Sequence, residues 1–372
     1  MQKKILITGG AGFIGSHLAD ELLNKGYQVR ALDNLSEQVH GKNAGRPDYL
    51  NSQVELQIGD VRDKAAVNKA LDGIDIVIHL AAMVGVGQSM YQIKDYTDVN
   101  NVGTAVLMEA LMDKPVEKLV TASSMSIYGE GLYLDQSGEK RMDCDRKLSD
   151  LKKGQWEMYD SNGKELNPVP TPETKTPNLS SVYALSKYDQ ERLSLITGKA
   201  YNIPTTALRF FNVYGTRQAL SNPYTGVLAI FASRLLNDNP PMIFEDGKQK
   251  RDFIHVKDVA RAIRLAMEKP EADGEVFNVG SGNKYTIVEI ADKLAEVMGK
   301  KNIKAEVTGK YRVGDIRHCF ADTTKTREKL GFEPEVKFEE GLFELAEWLK
   351  SQIATDNVGK ASSELSSRGL TV

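Results

Sequence analysis

The sequence predicts an α/β protein with a doubly wound parallel sheet and a smaller mixed α/β domain in its C-terminal half. Two observations predict this fold class. Apolar runs of strand length alternate with helical patterns through the first half of the chain, as in parallel sheets that carry helices on both faces. The second half is richer in helical patterns and less regular. Right-handed crossovers make double winding the economical arrangement of the first half.

The elements follow in chain order. We interpret six apolar runs as strands: KILITGG, VRALDN, VELQIGD, DIVIHLAA, EKLVTASS and TTALRFFNVYG. The first run is continuously apolar, which is typical of a strand buried on both faces. The intervening helices are HLADELLNKGY, which stops at Gly26, AAVNKALDG and VNNVGTAVLMEALMD. Later helical patterns are TGVLAIFASRLLND, VKDVARAIRLAMEK, TIVEIADKLAEVMG and EEGLFELAEWLKSQI, and PPMIFEDG predicts a strand and a turn.

These patterns predict two domains. Residues 1–214 and about 248–275 form a Rossmann domain, which carries a polar insert at 131–176. Residues 215–247 and 276–355 form the smaller substrate-binding domain, and 356–372 form a peripheral tail. A turn-rich segment as long as the insert is either functional or loosely ordered, so the insert is a binding element or a surface excursion.

Composition excludes several classes of protein. The chain has 372 residues, 41% of them apolar, and a net charge of −3. This balance gives no broad basic surface, so we expect no nucleic-acid partner. No apolar run reaches membrane-spanning length, and the start lacks a signal-peptide pattern. With only two cysteines, we expect a cytoplasmic protein without disulfides, membrane partner or metal site.

A glycine-rich turn connects the first strand to the first helix. Gly9, Gly12 and Gly15 have the spacing G-x-x-G-x-x-G, with Phe13 and Ile14 within it. Glycine lets the backbone approach a pyrophosphate, and the helix N-terminus adds partial positive charge. The strand before it and the helix after it are the context that a dinucleotide motif requires.

Acidic residues end the second and third strands. Asp33, followed by Asn34, stands where an acid accepts hydrogen bonds from an adenosine ribose and repels a 2′-phosphate, which favours NAD over NADP. Asp60, followed by Val61, stands where an acid meets the adenine edge. Either aspartate could instead simply begin a turn.

Hydroxyl groups gather further along the chain. Ser123, Ser124 and Ser126 follow a strand, where doubly wound folds bind ligands, although a serine-rich turn has the same composition. Tyr183 and Lys187 lie four residues apart, which places both on one helix face. That spacing alone does not distinguish a catalytic pair from an ordinary helix.

Seven motifs occur in a recognisable order: the glycine turn, HLAA, NNVGT, SSMSIYG, Tyr183-x-x-x-Lys187, LRFFNVYG and RDFIHVKDVA. Together they resemble the extended short-chain dehydrogenase/reductase family that acts on nucleotide sugars, over nearly the whole chain. Within it, the chain is most similar to the sugar-nucleotide 4-epimerases. The stretches GVGQSMY, SSMSIYGEG, SNPYTGVLAIFASRLLN and GDIRHCFAD resemble the 4-epimerases that convert dTDP-L-rhamnose to dTDP-6-deoxy-L-talose.

The resemblance implies an NAD-dependent mechanism. Tyr183 is then the base for the sugar 4-hydroxyl, Lys187 lowers the pKa of that phenol, and Ser124 holds the reacting oxygen. Hydride passes from C4 of the sugar to NAD and returns to the other face. The chain would act as a homodimer through the helices that begin near Asn100 and Tyr183.

The resemblance also implies the remaining contacts. Expected cofactor contacts beyond the glycine turn and the two acids are Leu80, Ala81, Ala82, Asn100, Ser123, Tyr183, Lys187 and Phe210. Expected nucleotide-sugar contacts are Val84, Ser124, Ser126, Asn212, Arg251, Arg312 and Arg317, with the arginines on the diphosphate because the guanidinium fork suits phosphate.

One departure from the family separates reaction types. The related 4,6-dehydratases carry an Asp-Glu pair directly after the active-site hydroxyl, whereas this chain has Met125 and Ser126. Neither can serve as that acid or base, which disfavours a dehydratase. Met83, Val84, Val86 and Met125 either line a pocket for a 6-methyl group or belong to the core. A UDP-glucose- or UDP-glucuronate-type 4-epimerase, a 4-ketosugar reductase and an NAD-binding regulatory protein remain as alternatives.

Overall fold

The computed structural model describes residues 2–371. Its strands are β1 Lys4–Thr8, β2 Gln28–Asp33, β3 Glu55–Ile58, β4 Ile76–His79, β5 Lys118–Ser124, β6 Leu132–Leu134, β7 Lys140–Arg141, β8 Asn167–Val169, β9 Thr205–Phe210, β10 Asn212–Tyr214, β11 Met242–Ile243, β12 Lys250–Arg251, β13 Phe253–His255, β14 Val276–Val279, β15 Tyr285–Thr286, β16 Glu306–Val307 and β17 His318–Cys319.

The helices are α1 Phe13–Asn24, α2 Glu37–His40, α3 Lys64–Ala70, α4 Val86–Ser89, α5 Ile93–Tyr96, α6 Gly103–Asp113, α7 Leu148–Leu151, α8 Val182–Ala200, α9 Val227–Leu236, α10 Val256–Glu268, α11 Ile287–Val297, α12 Thr324–Leu330, α13 Phe338–Leu349 and α14 Val358–Ser367. A π-helical segment, Thr97–Val102, leads into α6, and a 3₁₀ turn, Met125–Tyr128, follows β5. Within residues 2–371, no helix has both the length and the apolar character needed to cross a bilayer.

A seven-stranded parallel sheet organises the larger domain. The strand order is β3-β2-β1-β4-β5-β9-β14, and every neighbouring pair is parallel. Ile5, Leu6 and Ile7 of the interior strand β1 are completely buried, as the continuous apolar run predicts. The order reverses beside β1 and β4, so their carboxyl ends open the crevice in which such sheets bind ligands.

Helices cover both faces of this sheet. On one face the core contains Leu18 and Leu22 of α1 and Ile263 of α10. On the other it contains Val67 of α3 and Leu107 of α6. The predicted doubly wound α/β fold is therefore confirmed.

The predicted domain boundary at residue 275 is wrong by one strand. β14 pairs with β9 in the large sheet, and Phe277 is buried in the core shared with α1 and α10. Helix α10 precedes β14 and packs in the same core, so the pattern VKDVARAIRLAMEK before VFNV was the available signal for a crossover strand. Residues 276–279 therefore belong to the Rossmann domain.

The smaller lobe has its own core. Phe231 of α9, Leu294 of α11 and Leu345 of α13 pack together there. β11 pairs with β16, and β12 lies between β15 and β17. This lobe faces the carboxyl ends of the large sheet through β10 and β13, which pair in parallel.

The insert and the tail are both ordered. Strands β6, β7 and β8 of the insert form an antiparallel sheet. The tail is not peripheral, because Leu365 of α14 lies against Gly87 and the Arg368 guanidinium stacks on the Tyr91 ring. The Val313 amide also donates to the Leu370 carbonyl at 3.0 Å.

Candidate active site

The candidate site lies where four neighbouring strands end. β1, β4, β5 and β9 finish at Thr8, His79, Ser124 and Phe210. Because parallel strands end at the same edge, their following loops converge there. Phe210 pairs in register with Ser124 and is almost buried.

Steric contacts explain the first and last glycines of the turn. Gly9 has φ +70°, and a Cβ there would lie 3.0 Å from the Ala81 amide nitrogen. A Cβ on Gly15 would lie 2.4 Å from the Gly9 carbonyl oxygen. Gly12 precedes α1, whose first residues, Phe13 and Ile14, are half-buried. The turn thus leaves the helix N-terminus open to an anion.

Asp33 is fixed against this turn. Its carboxylate accepts hydrogen bonds from the Ala11 amide at 3.0 Å and the Leu35 amide at 2.9 Å. These bonds orient the acid beside the glycine turn, in the position predicted for a ribose contact. The residues present therefore fit a dinucleotide.

The second acid has partners of its own. Asn34 donates to Asp60 at 3.0 Å, and Arg62 forms a two-point ion pair with it. The Arg62 hydrogen bond is the main reason that the pKa of Asp60 is lowered to about 2. The Val61 side chain is buried against Gly103. Only the main chain of Val61 can therefore make the predicted cofactor contact.

Asn100 supports the loop after β4 from behind. Its side chain accepts from the Met83 amide at 2.7 Å, donates to the Met83 carbonyl at 3.1 Å and donates to Ser186 at 2.9 Å. The residue is completely buried. The prediction that Asn100 contacts the cofactor is therefore wrong for its side chain, which positions the half-buried segment of Leu80, Ala81 and Ala82.

Ser123 is a second correction. Its hydroxyl donates to Glu191 at 2.7 Å, and Glu191 forms a buried ion pair with Arg209 at 2.8 Å. The prediction of a cofactor contact is wrong for this side chain, because Ser123 is buried and its hydroxyl is bound to Glu191.

Ser124, Tyr183 and Lys187 lie together in the crevice. Burial raises the pKa of Tyr183, and the nearby Ser124 hydroxyl opposes that change. Burial lowers the pKa of Lys187 to about 7, although the negative charge of Glu191 acts to raise it. Ser181 caps the N-terminus of helix α8, and its side chain accepts from the Ala184 amide, so the cap fixes where Tyr183 points.

The lysine is held by residues that the sequence analysis did not select. Its ammonium donates to Gln190 at 2.6 Å. The Gln190 amide donates to Thr104 at 2.8 Å, and His79 bonds Thr8 at 2.7 Å and Thr104 at 2.9 Å. These two bonds give His79 a structural role behind the lysine. The i,i+3 spacing of Lys187 and Gln190 was the available signal.

Known proteins identify this arrangement. Residues 5–146 and 156–280 match the model of the NAD dependent epimerase/dehydratase family. The chain belongs to this family. A dTDP-L-rhamnose 4-epimerase from Burkholderia thailandensis is 35% identical, over 95% of this chain and 97% of the relative. A putative UDP-glucose 4-epimerase from Methanocaldococcus jannaschii is 32% identical, over 94% of this chain and 100% of the relative.

A solved structure supports the same assignment. UDP-glucose 4-epimerase from Thermotoga maritima, solved with UDP-glucose, is 33% identical and has a TM-score of 0.75, covering 93% of this chain and 98% of that chain. The chain is accordingly an NAD-dependent epimerase, an isomerase of the nucleotide-sugar 4-epimerase type.

In this epimerase the predicted sugar side is only partly open. The Val84 side chain is about half exposed, whereas Met125 is packed with Ile127 and Phe211. Asn212 donates to the Asp252 carbonyl at 2.9 Å and lies 3.6 Å from the Met125 sulfur. The Ser126 amide donates to the Ser124 hydroxyl at 3.1 Å, which fixes the start of the 3₁₀ turn.

The three arginines predicted to bind the diphosphate meet at one segment, residues 312–317. Arg312 and Arg317 belong to this segment, and Arg251 is bound to it. Arg251 donates to the carbonyls of Ile316 and Arg317. Arg312 forms a two-point ion pair with Asp315, at 3.0 and 2.9 Å. Its guanidinium stacks on the Phe244 ring, 5.0 Å from the ring centre.

Arg317 does not bind a phosphate. Its side chain has no exposed surface, and it pairs with Glu157, Glu245 and Asp246. Every guanidinium nitrogen has a carboxylate partner, so no donor is left for a ligand. The prediction is therefore wrong, because sequence does not reveal that acids from two distant segments surround this arginine.

We also searched the described residues for side chains that could bind a metal ion. Among residues 2–371, no group of three or more His, Cys, Asp or Glu side chains could hold a metal ion.

Proposed function

We propose that this epimerase inverts C4 of dTDP-L-rhamnose through a transient 4-keto sugar and forms dTDP-6-deoxy-L-talose. The observation that carries the proposal is the buried group of Ser124, Tyr183 and Lys187. In the sequence, Ser124 is followed directly by Met125 and Ser126. The group supports removal of a proton from a sugar alcohol. The absence of an acid-base pair at 125 and 126 supports epimerisation over loss of water.

The chain's residues divide the work. Gly9, Gly15 and Asp33 hold the dinucleotide. When bound, NAD supplies a hydride acceptor that regenerates within each cycle. Tyr183 takes the proton of the 4-hydroxyl and returns it after inversion, and Ser124 holds the same oxygen by a hydrogen bond.

Lys187 makes the tyrosine an adequate base. A buried phenol resists ionisation, as the raised pKa of Tyr183 reflects. A protonated lysine nearby favours the phenolate and lowers that pKa. Gln190 holds the ammonium in place. The base is thus formed by two side chains one helical turn apart.

The choice of substrate rests on similarity and on pocket chemistry. The Burkholderia relative supports dTDP-L-rhamnose, and Val84 with the neighbouring Met83 and Val86 offers apolar surface to a 6-methyl group. The Methanocaldococcus and Thermotoga proteins favour UDP-glucose as the second candidate.

One experiment separates these candidates. The purified enzyme is incubated with dTDP-L-rhamnose, UDP-glucose and UDP-glucuronate, and C4 epimers are sought by NMR. We expect dTDP-6-deoxy-L-talose and no net change in NAD absorbance. Epimerisation of a UDP-sugar alone would move the assignment to that substrate, and stoichiometric consumption of NADH or NADPH would indicate a reductase.

We also infer a homodimer. Val102 at the start of α6 and Leu185 and Ile196 on α8 are large apolar side chains that are 46%, 52% and 59% exposed. Apolar surface of this kind on adjacent helices is typical of protein interfaces. Light scattering at micromolar concentration should give twice the chain mass, and Leu185→Glu should halve it.

A further inference from the structure

The polar insert reaches the diphosphate side of the site through one buried side chain. Arg146 lies between β7 and α7, and its side chain is only 6% exposed. It contacts Glu130 at 3.2 Å and Glu245 at 2.6 Å. A third bond runs to the Asp315 main-chain carbonyl at 2.6 Å. An arginine with three fixed acceptors is a rigid connection between segments.

The Asp315 carbonyl is the first of three successive carbonyls that hold arginines. Arg146 binds the carbonyl of Asp315, and Arg251 binds those of Ile316 and Arg317. The Asp315 carboxylate meanwhile fixes Arg312. A displacement of residues 315–317 would therefore move both arginines that we assign to the diphosphate.

The ion pair between Arg146 and Glu245 also supports Arg312, through the neighbouring Phe244. Glu245 follows Phe244, on whose ring Arg312 stacks. Glu245 is almost completely buried and has φ +56°, a conformation that costs free energy in a residue with a Cβ. Its two carboxylate oxygens bind Arg146 and Arg317. These ion pairs stabilise the strained backbone next to Phe244.

We infer that Arg146 is a positioning residue for nucleotide-sugar binding, through which the insert sets the places of Arg251 and Arg312. The inference rests on the proposed function only in assigning those two arginines to the diphosphate. The insert is then part of the binding site without touching the ligand.

Titration with a nucleoside diphosphate tests this inference separately from catalysis. The probes are dTDP and UDP, measured by calorimetry on the NAD-loaded enzyme. Arg146→Met should weaken binding of the preferred diphosphate about tenfold, which corresponds to about 1.4 kcal/mol. KM for the nucleotide sugar should rise by a similar factor, with kcat within about threefold and NAD content unchanged.

Two further variants control for general damage. Glu157→Gln removes the other buried ion pair of the insert, since Glu157 binds Arg317 and His318, but it leaves the Asp315 carbonyl untouched. It should cost stability and leave diphosphate affinity within twofold, because Arg317 keeps its ion pairs with Glu245 and Asp246 and residues 315–317 stay in place. Arg146→Lys keeps the charge without the planar fork, and we expect an intermediate loss, which remains measurable if Arg146→Met does not fold.

The outcomes distinguish the two proposals. A wild type that binds dTDP or UDP but epimerises no sugar contradicts the proposed function alone, and the affinity ratios still decide the role of Arg146. Equal affinity in wild type and Arg146 variants, equal losses in Glu157→Gln and Arg146→Met, or a loss confined to kcat would overturn the inference. Failure of the wild type to bind either diphosphate would also overturn it.

Discussion

Lys187 is both deeply buried and required as a cation, which predicts a conflict between stability and activity. Its side chain is 3% exposed, and burial lowers its pKa from 10.5 to about 7. In the unfolded chain the pKa returns to its ordinary value. Between pH 7 and 10.5 the unfolded state therefore binds more protons, so the free energy of unfolding rises with pH across that window and is lowest below pH 7.

The size of this effect follows from the shift. A difference of 10.5 − 7 units, at 1.36 kcal/mol per unit, corresponds to about 5 kcal/mol below pH 7. Lys187→Met removes that cost but leaves Gln190 without its partner, which costs about 1–3 kcal/mol. We expect the variant to be about 2–4 kcal/mol more stable at pH 6 and inactive. By pH 9 the free energy of unfolding of the wild type has risen by about 3 kcal/mol, so wild type and Lys187→Met should be nearly equally stable.

Urea unfolding at pH 6 and pH 9 measures both values. Samples must be matched for NAD content, because a bound ligand adds its own stability. Lys199→Met provides the control, since Lys199 is an exposed lysine of the same helix and should change stability little at either pH. The reasoning is refuted if Lys187→Met is less stable than wild type at pH 6, or if its stability difference does not depend on pH.

Four further changes test the site. Tyr183→Phe should abolish turnover, seen by NMR, and retain NAD, measured in the denatured supernatant; a near-normal rate would exclude Tyr183 as the base. Asp33→Ala should lower NAD occupancy severalfold because the ribose acceptor is lost, and full occupancy would contradict its role. Gly15→Ala should cost about 2–3 kcal/mol in unfolding and deplete NAD, since its Cβ meets the Gly9 carbonyl at 2.4 Å; a stable, NAD-loaded variant would show that the turn adapts. A chain ending at Thr355 should raise KM for the nucleotide sugar severalfold and retain NAD, whereas unchanged KM would place the tail outside the site.

The cofactor half of the site could be predicted because its determinants are local. Gly9, Gly15 and Asp33 lie within one strand-turn-helix-strand unit, so their geometry follows from neighbouring sequence. Apolar runs of strand length predicted the sheet in the same way. The sequence patterns did not indicate β14, although it is as long as β3 and β4.

Side-chain direction limited the rest of the prediction. Ser123 and Ser124 are adjacent in sequence and have identical chemistry, yet the Ser123 hydroxyl donates to Glu191 whereas the Ser124 hydroxyl accepts from the Ser126 amide and lies near Tyr183. Tyr183 and Glu191 both lie on α8, so the packing of this helix on the end of β5 decides which serine meets which side chain. Asn100 is a similar case, since its use by Met83 and Ser186 requires the loop to fold back.

The arginines show how far long-range contacts decide function. Arg312 and Arg317 are five residues apart, but only Arg317 is surrounded by acids from the insert and from residues 245–246. The insert binds this segment through Arg146, and the tail binds it through the main chain of Val313 and Leu370. The family match covers 5–146 and 156–280, so it omits residues 147–155 of the insert and the whole of 312–317. The family match thus includes the NAD-binding half and Arg251 but not the segment that holds Arg251. The enzyme's selectivity among nucleotide sugars should therefore depend on the segments that converge on residues 312–317, because they set where the diphosphate arginines stand.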